Sequence, residues 1–279
     1  MIRTKTGRFS RMLLLAGCCW MWAFAAHAQA FQKLYTNPDS AFFLAYDLCS
    51  DLTQGYYITG AVQVTRPQTF VLKSNLNGDP LWSKMVTSAA PNFYYTTGES
   101  IHRTSDNGVV ITGVKIAGAQ ETGGVLIKMT ASGSIQWAKS APCAWHNSEV
   151  CADGNSIYYA SDGKNVAKVY LGKLTNQGQP AWEQWIEAGD MDFYTVESMV
   201  RCANGDIMLA LLVAKTNGGE VGPSQTILLR INPAGVVQRM NHLLPHQTQI
   251  QPDRRGARVQ PVEMRLQKQQ RAAMQPQPL

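Results

Sequence analysis

Charge is scarce in this chain. Asp, Glu, Lys and Arg make up 16% of its 279 residues, against 45% hydrophobic residues. That balance excludes disorder throughout and leaves enough apolar side chain for a packed core. Cysteine is equally uninformative as a metal signal. The six cysteines form no Cys-x-x-Cys pair and stand beside no histidine, which excludes the common zinc sites. No Gly-x-Ser-x-Gly nucleophile signal occurs, and His102 and His146 have no partner in the pattern around them. The carboxylates Glu99, Glu149, Asp190, Asp192 and Glu197 are scattered and read as loop and rim charges rather than an acid/base pair.

The net charge of +6 belongs to the ends. Residues 1–28 hold four basic and no acidic residues, residues 245–279 hold six basic and two acidic, and residues 29–244 hold 15 basic and 17 acidic. No basic stripe interleaved with aromatics crosses the body, so nucleic acid is excluded as a partner. The N-terminal charge has another use. Arg3, Lys5, Arg8 and Arg11 precede an apolar run over 12–26, too short to span a bilayer. Small residues at Ala26 and Ala28 follow. This is the layout of a secretory signal peptide, residues 1–28. A second reading makes Cys18, in Leu15-Ala-Gly-Cys18, a lipidated first residue, and membrane attachment is expected only in that case. Export places the chain outside the cytoplasm: extracellular, periplasmic or on the outer surface. After cleavage Cys49, Cys143, Cys151 and Cys202 remain. A local disulfide between Cys143 and Cys151 is one arrangement open to them. Cys49, Cys151 and Cys202 fall just before the first turn of three repeats, where Thr104 stands in the other, and read as small buried fillers.

A phrase recurs four times. Lys73-Ser-Asn-Leu-Asn-Gly78-Asp-Pro-Leu-Trp82 returns as Lys128-Met-Thr-Ala-Ser-Gly133-Ser-Ile-Gln-Trp137 and as Lys173-Leu-Thr-Asn-Gln-Gly178-Gln-Pro-Ala-Trp182. The fourth copy is Arg230-Ile-Asn-Pro-Ala-Gly235-Val-Val-Gln-Arg239. The glycines are 55, 45 and 57 residues apart, the size of a four-stranded propeller blade. Within the second copy, Ser105-Asp-Asn-Gly108 is a hairpin turn, Val109-Val-Ile-Thr112 a β-branched strand, 113–124 a longer connection, 125–129 a third strand and 134–140 a fourth. The expected fold is all-β: a propeller-like array of four four-stranded antiparallel blades, open or incomplete, over residues 29–244. The blades are expected at 42–87, 98–140, 147–188 and 196–243, with a lone strand at 31–35 and a basic, disordered tail at 245–279. The unmatched lone strand and the change of composition in the tail together suggest a shortened version of a longer propeller protein.

The unit resembles the secreted bacterial β-propeller repeats built on D-G-G-Y-x-x-x-G followed by L-x-K-x-D-x-x-G-x-x-x-W. The pattern stands here as Asp106-Asn-Gly-Val-Val-Ile-Thr-Gly113 and Leu126-Ile-Lys-Met-Thr130-Ala-Ser-Gly133-Ser-Ile-Gln-Trp137. Asn75, Thr130, Thr175 and Asn232 replace the family's Asp before the glycine. The Gly-x-x-x-Trp spacing is also similar to the tryptophan-docking pattern of quinoprotein-type propellers. The resemblance implies a fold and little chemistry. Trp82, Trp137 and Trp182 are expected to wedge between sheets and find a carbonyl for each indole N–H. Tyr56-Tyr57 and Tyr158-Tyr159 are expected in the core.

Function is read as a non-catalytic exported propeller with a binding or scaffold role at the cell envelope, needing no cofactor. Its partner is unspecified, a glycan or an envelope protein. Two alternatives stand beside it: a quinone-dependent or sugar-active propeller enzyme, and a fragment of a longer adhesion protein. The candidate binding residues are Lys73, Lys128, Lys173 and Arg230, one cation at one address per repeat. They either ring a face that attracts anionic groups or snorkel from strand ends to pair with a neighbouring blade.

Overall fold

Alternating β-branched and aromatic residues between short Gly/Asn/Asp turns dictate strands throughout the computed structural model. It describes residue 35 and residues 42–51, 53–63, 67–86, 93–117, 120–141, 148–163, 168–187, 191–217 and 220–243. The calls at 1–28, Cys18, Cys143, His146, Asp190 and the tail lie outside the described residues, as does the lone strand except for Tyr35, which is not in a strand. Sixteen strands form four sheets in chain order. The first sheet holds β1 (Phe42–Asp51), β2 (Gly55–Gln63), β3 (Pro67–Ser74) and β4 (Pro80–Val86). The second holds β5 (Phe93–Arg103), β6 (Val109–Ala117), β7 (Gln120–Met129) and β8 (Ile135–Ala141). The third holds β9 (Ser148–Asp153), β10 (Ser156–Asp162), β11 (Val169–Thr175) and β12 (Pro180–Ile186). The fourth holds β13 (Phe193–Arg201), β14 (Ile207–Asn217), β15 (Glu220–Ile231) and β16 (Val237–Leu243). Each sheet is an antiparallel meander whose strands pair in sequence order.

The sheets stack as blades of a propeller-like, open array. The first strands of successive blades, β1, β5, β9 and β13, pack against one another in a row. The fourth strands are largely exposed, with β4 buried only at Trp82, in part, and Val86. Both faces of the two middle blades are apolar, because each is covered by a neighbour. The forward face of the first blade puts Tyr57, Val71 and Val86 against Ile101, Val109 and Ile111 of the second. The second puts Val110 and Leu126 against Ile157, Tyr159 and Tyr170 of the third. The third puts Tyr158, Ala160 and Leu171 against Ile207, Leu209 and Leu229 of the fourth. Tyr57, Tyr158 and Tyr159 are buried, as expected, and Tyr56 is half-buried.

Two local expectations need correction. The long connection over 113–124 is strand: β6 runs on to Ala117 and β7 starts at Gln120. Gly113 lies inside the sheet opposite an irregularity at Gly98/Ser100, and a Cβ there would stand 2.0 Å from the Thr97 carbonyl oxygen. The glycine admits a close backbone approach rather than ending the strand. The cysteines are also not all equivalent. Cys49 and Cys151 pair with Tyr57 and Tyr158, which in turn face Lys73 and Lys173. Cys202 instead opens the turn before β14, like Thr104 before β6. The turn between β9 and β10 has only two residues, Gly154 and Asn155, and the shorter loop shifts the alignment. All three thiols are free, and burial pushes Cys49 and Cys151 up to about 12, so neither is a thiolate at neutral pH.

The recurring phrase is a turn with a docking port. In every blade the residue opening the β3–β4-type turn accepts an N–H on its side-chain oxygen from four residues on: Asn75 from Asp79 (2.8 Å), Thr130 from Ser134 (3.0 Å), Thr175 from Gln179 (3.1 Å) and Asn232 from Val236 (2.9 Å). Asn and Thr supply that acceptor as well as the family's Asp would. The glycines that close the turns, Gly78, Gly133, Gly178 and Gly235, have φ of 77°, 81°, 77° and 84°, and each is followed by a bulge in the hairpin. The tryptophan of the preceding blade fits beneath. Trp82 donates its indole N–H to Ala131 O (3.2 Å), Trp137 to Asn176 O (3.0 Å) and Trp182 to Pro233 O (3.0 Å). A Cβ on Gly133, Gly178 or Gly235 would meet those same rings at 3.0–3.1 Å.

Gly178→Ala therefore meets two penalties, the left-handed φ and the Trp137 ring. Gly154, with φ 51° and nothing within 4 Å of an added Cβ, isolates the first. Urea denaturation is expected to show a loss of about 1–2 kcal/mol for Gly154→Ala and at least about 1 kcal/mol more for Gly178→Ala. Equal losses would disprove the docking contact.

Candidate functional site

The four cations share an address but not one degree of exposure: Lys73 and Lys128 are buried, Lys173 is half-buried and Arg230 is exposed. Each stands on its blade's third strand, opposite the docking tryptophan or, in the fourth blade, opposite Arg239. From there each reaches a turn. Lys128 is 0% exposed and donates to both Asp106 oxygens at 2.9 Å, to Gln136 Oε1 at 2.9 Å and to Met129 O at 3.3 Å. Arg230 Nε donates to Asp206 Oδ2 at 2.6 Å. Lys73 is buried over the Tyr57 ring, 4.8 Å from its centroid, and reaches Gln54 Oε1 at 3.4 Å. Lys173 lies over the Tyr158 ring at 5.1 Å and donates to Pro233 O of the next blade at 3.3 Å.

Three of these cations tie a third strand back to the first hairpin turn of the same blade. Among the described residues Lys173 is the one of the four that instead bonds to a neighbouring blade. At Asp106, partial burial opposes ionisation, but bonds from Thr104, Lys128 and the Gly108 N–H outweigh it and hold the carboxyl down at about 2. Asp206 is held below the usual range by Asn204 and Arg230. The geometry makes these cations turn clamps.

The carboxylates that look scattered in sequence come together instead. Asp47 on β1, Glu99 and Ser100 on β5, Glu149 on β9 and Glu197 on β13 belong to the row of first strands, one carboxylate from each blade. Asp47, Ser100 and Ser198 each follow an irregularity in the first-strand pairing, which turns the neighbouring side chain toward the row. Asp47 Oδ2 accepts the Ile101 N–H at 2.8 Å and lies 3.2 Å from Ser100 Oγ. Glu99 Oε2 accepts from the Ser148 N–H (3.0 Å) and hydroxyl (3.1 Å). His102 Nδ1 lies 2.8 Å from the Arg103 carbonyl oxygen and 3.3 Å from the Ala152 N of β9. These bonds stitch one blade's first strand to the next. Glu149 Oε2 lies 3.2 Å from the same Ser100 Oγ. Burial pushes the Glu149 carboxyl up to about 7 against the Ser100 bond, and the charges of Asp47, Glu99 and Glu197 add to the rise.

Asp192 stands apart, exposed, accepting from the Thr216 hydroxyl at 2.7 Å. Among the described residues no group of three His, Cys, Asp or Glu is placed to hold a metal ion. Cys151 is a free, buried thiol. Sequence reasoning passed over Asp47 and Ser100. The signal for them was the blade period itself: Asp47, Ser100 and Glu149 are 53 and 49 residues apart.

No family model matches the chain, and no curated protein does. Among solved structures it is similar to a subtype N10 neuraminidase-like protein of A/little yellow-shouldered bat/Guatemala/060/2010, with 14% identity and a TM-score of 0.46, over 72% of this chain and 59% of that one. The native arabinanase Arb43A of Bacillus subtilis matches at 14% identity and 0.43, over 68% and 72%. A xylan beta-1,4-xylosidase from Bacillus halodurans C-125 matches at 13% and 0.35, over 71% and 45%. The chain spans a little over half the length of the neuraminidase-like protein. At this level of similarity no residue's role transfers.

Lys128→Met leaves Asp106 without its cation. Because Asp106 is partly exposed, the expected loss is about 2–3 kcal/mol rather than the full penalty of a broken buried pair. Lys173→Met, which removes a carbonyl bond and a ring contact, is expected to lose under about 1 kcal/mol. Neither should lower the salt concentration that elutes the protein from heparin. A marked fall for both would restore the cationic ring.

Proposed function

We propose that the protein is a non-catalytic, exported propeller-type module with a binding or scaffold role at the cell envelope. One observation carries this reading. The side chains able to do chemistry are engaged in holding blades together: Asp47 and Glu99 accept backbone N–H groups of the next blade, and Lys128 and Arg230 close turns of their own. A catalytic carboxylate has to change its hydrogen bonding during turnover, and a carboxylate holding a neighbouring strand is poorly suited to that. The signal-like N-terminus supports export, and the repeat array supports a rigid display of loops.

The alternative of a sugar-active enzyme draws on a specific feature. Glu149 and Asp47 flank one hydroxyl, and Glu149 is pushed toward neutrality, as in sites where two carboxyl groups divide acid and base roles. A panel of aryl glycosides separates the readings. The purified protein is expected to release no aryl alcohol above the buffer rate between pH 5 and 8, and Glu149→Gln to make no difference. Turnover that Glu149→Gln abolishes, with the fold intact by circular dichroism, would overturn the non-catalytic reading.

A further inference from the structure

Three blades meet at one hydroxyl. Ser100 Oγ of the second blade is 3.2 Å from Asp47 Oδ2 of the first and 3.2 Å from Glu149 Oε2 of the third. It also accepts the Val150 N–H of β9 at 3.4 Å. A serine hydroxyl has one hydrogen to give and two lone pairs to receive with. It cannot donate to two carboxylates at once. With Asp47 also held by the Ile101 N–H at 2.8 Å, the hydroxyl's hydrogen goes to Asp47. The 3.2 Å contact between Ser100 Oγ and Glu149 Oε2 is then a hydrogen bond only if the Glu149 side chain is itself the donor.

We propose that Glu149 is a proton-operated clasp: as the neutral acid it donates to Ser100 Oγ and fastens the third blade's first strand to the first two blades, and loss of its proton loosens that junction. The surroundings agree from every side. Asp47 on β1, Glu99 on β5 and Glu197 on β13 all disfavour a charge on Glu149. The basic side chain on β13, Arg201, is engaged with Asp153 at the far end of β9, Nε to Oδ2 2.8 Å. His102 on β5 is engaged further along the same strand pair, its Nδ1 2.8 Å from the Arg103 carbonyl oxygen.

The sign of the pH effect follows. The folded carboxyl sits at about 7 against an ordinary value of 4.5, so the folded state holds the proton more tightly than the unfolded one. The stabilisation is complete below pH 4.5 and lost as pH rises through about 7. It is the reverse of a carboxylate in an ion pair.

The test compares the thermal midpoint of the full chain with that of Glu149→Gln from pH 5 to 8. The Gln amide donates to Ser100 at every pH. The wild type is expected to fall progressively behind the variant between about pH 5 and 7, the gap reaching about 3–6 °C by pH 8. A difference that does not vary with pH would overturn the proposal. If the variant does not fold, carbon-13 NMR of glutamate-labelled wild type gives the same decision: one side-chain carboxyl titrating near neutrality supports the clasp, and none titrating above about pH 6 refutes it. Neither readout depends on the presence or absence of enzymatic activity, so failure here and failure of the scaffold reading are distinguishable.

Discussion

The stacking of the blades depends on an indole seated under a turn. Burial of β-branched side chains between sheets is the larger driving force, but it is indifferent to direction. The bond from each tryptophan N–H to a carbonyl in the next turn is not. It defines a forward and a rear face for every blade, sets the offset between sheets, and requires a glycine where the ring passes. Each port is also crossed by the residue two positions after the tryptophan: Lys84 over Gly133, Lys139 over Gly178 and Gln184, which donates to Gly235 O at 2.6 Å. At the two ends the pattern changes. Among the described residues Gly78 is met by Tyr35 in place of a tryptophan, the Tyr35 hydroxyl donating to the Gly78 carbonyl at 2.6 Å. The fourth blade carries Arg239 where the others carry tryptophan, and its forward face leaves Val200 58% exposed.

The parts legible in the sequence are those written in local chemistry. Gly-x-x-x-Trp located the fourth strands, the Asx and Thr turns located the hairpins, and runs such as Val109-Val-Ile located the second strands. What escaped was whatever depends on register. Cys202 looks equivalent to Cys151 until the two-residue turn at Gly154-Asn155, against the longer turn between Arg201 and Ile207, shows that the repeats differ in loop length. The cations look like a ring because periodicity gives an address and says nothing of where a long side chain bends. Lys128 turns into the protein because Asp106, 22 residues earlier, faces it across the sheet. The axial carboxylates look isolated because their partners stand a whole blade away.

That row of first strands is where structure and chemistry compete for the same groups. Buried or half-buried polar atoms must be satisfied, and here they are satisfied largely by the next blade's backbone. Such bonds specify which strand sits beside which, a service apolar packing performs poorly. The arrangement also concentrates like charge along one line, and the array tolerates it by keeping most of these oxygens bonded and by discouraging one of them from ionising. Two exceptions remain in this row: Asp51 Oδ2 and Arg103 Nε are buried without a partner among the described residues, while the other Asp51 oxygen accepts from the Thr53 hydroxyl at 3.2 Å and lies 3.6 Å from Arg103.

Because each apolar interface is built from two successive blades, the array behaves more as a linear polymer of modules than as one indivisible core. Every port is self-contained, a turn supplied by one module and an indole by the one before. A gene for such a chain can therefore gain or lose a whole module by unequal recombination and still encode matching surfaces at the new junction. Drift in copy number is open to this architecture in a way that it is not open to folds whose strands interleave across the entire chain.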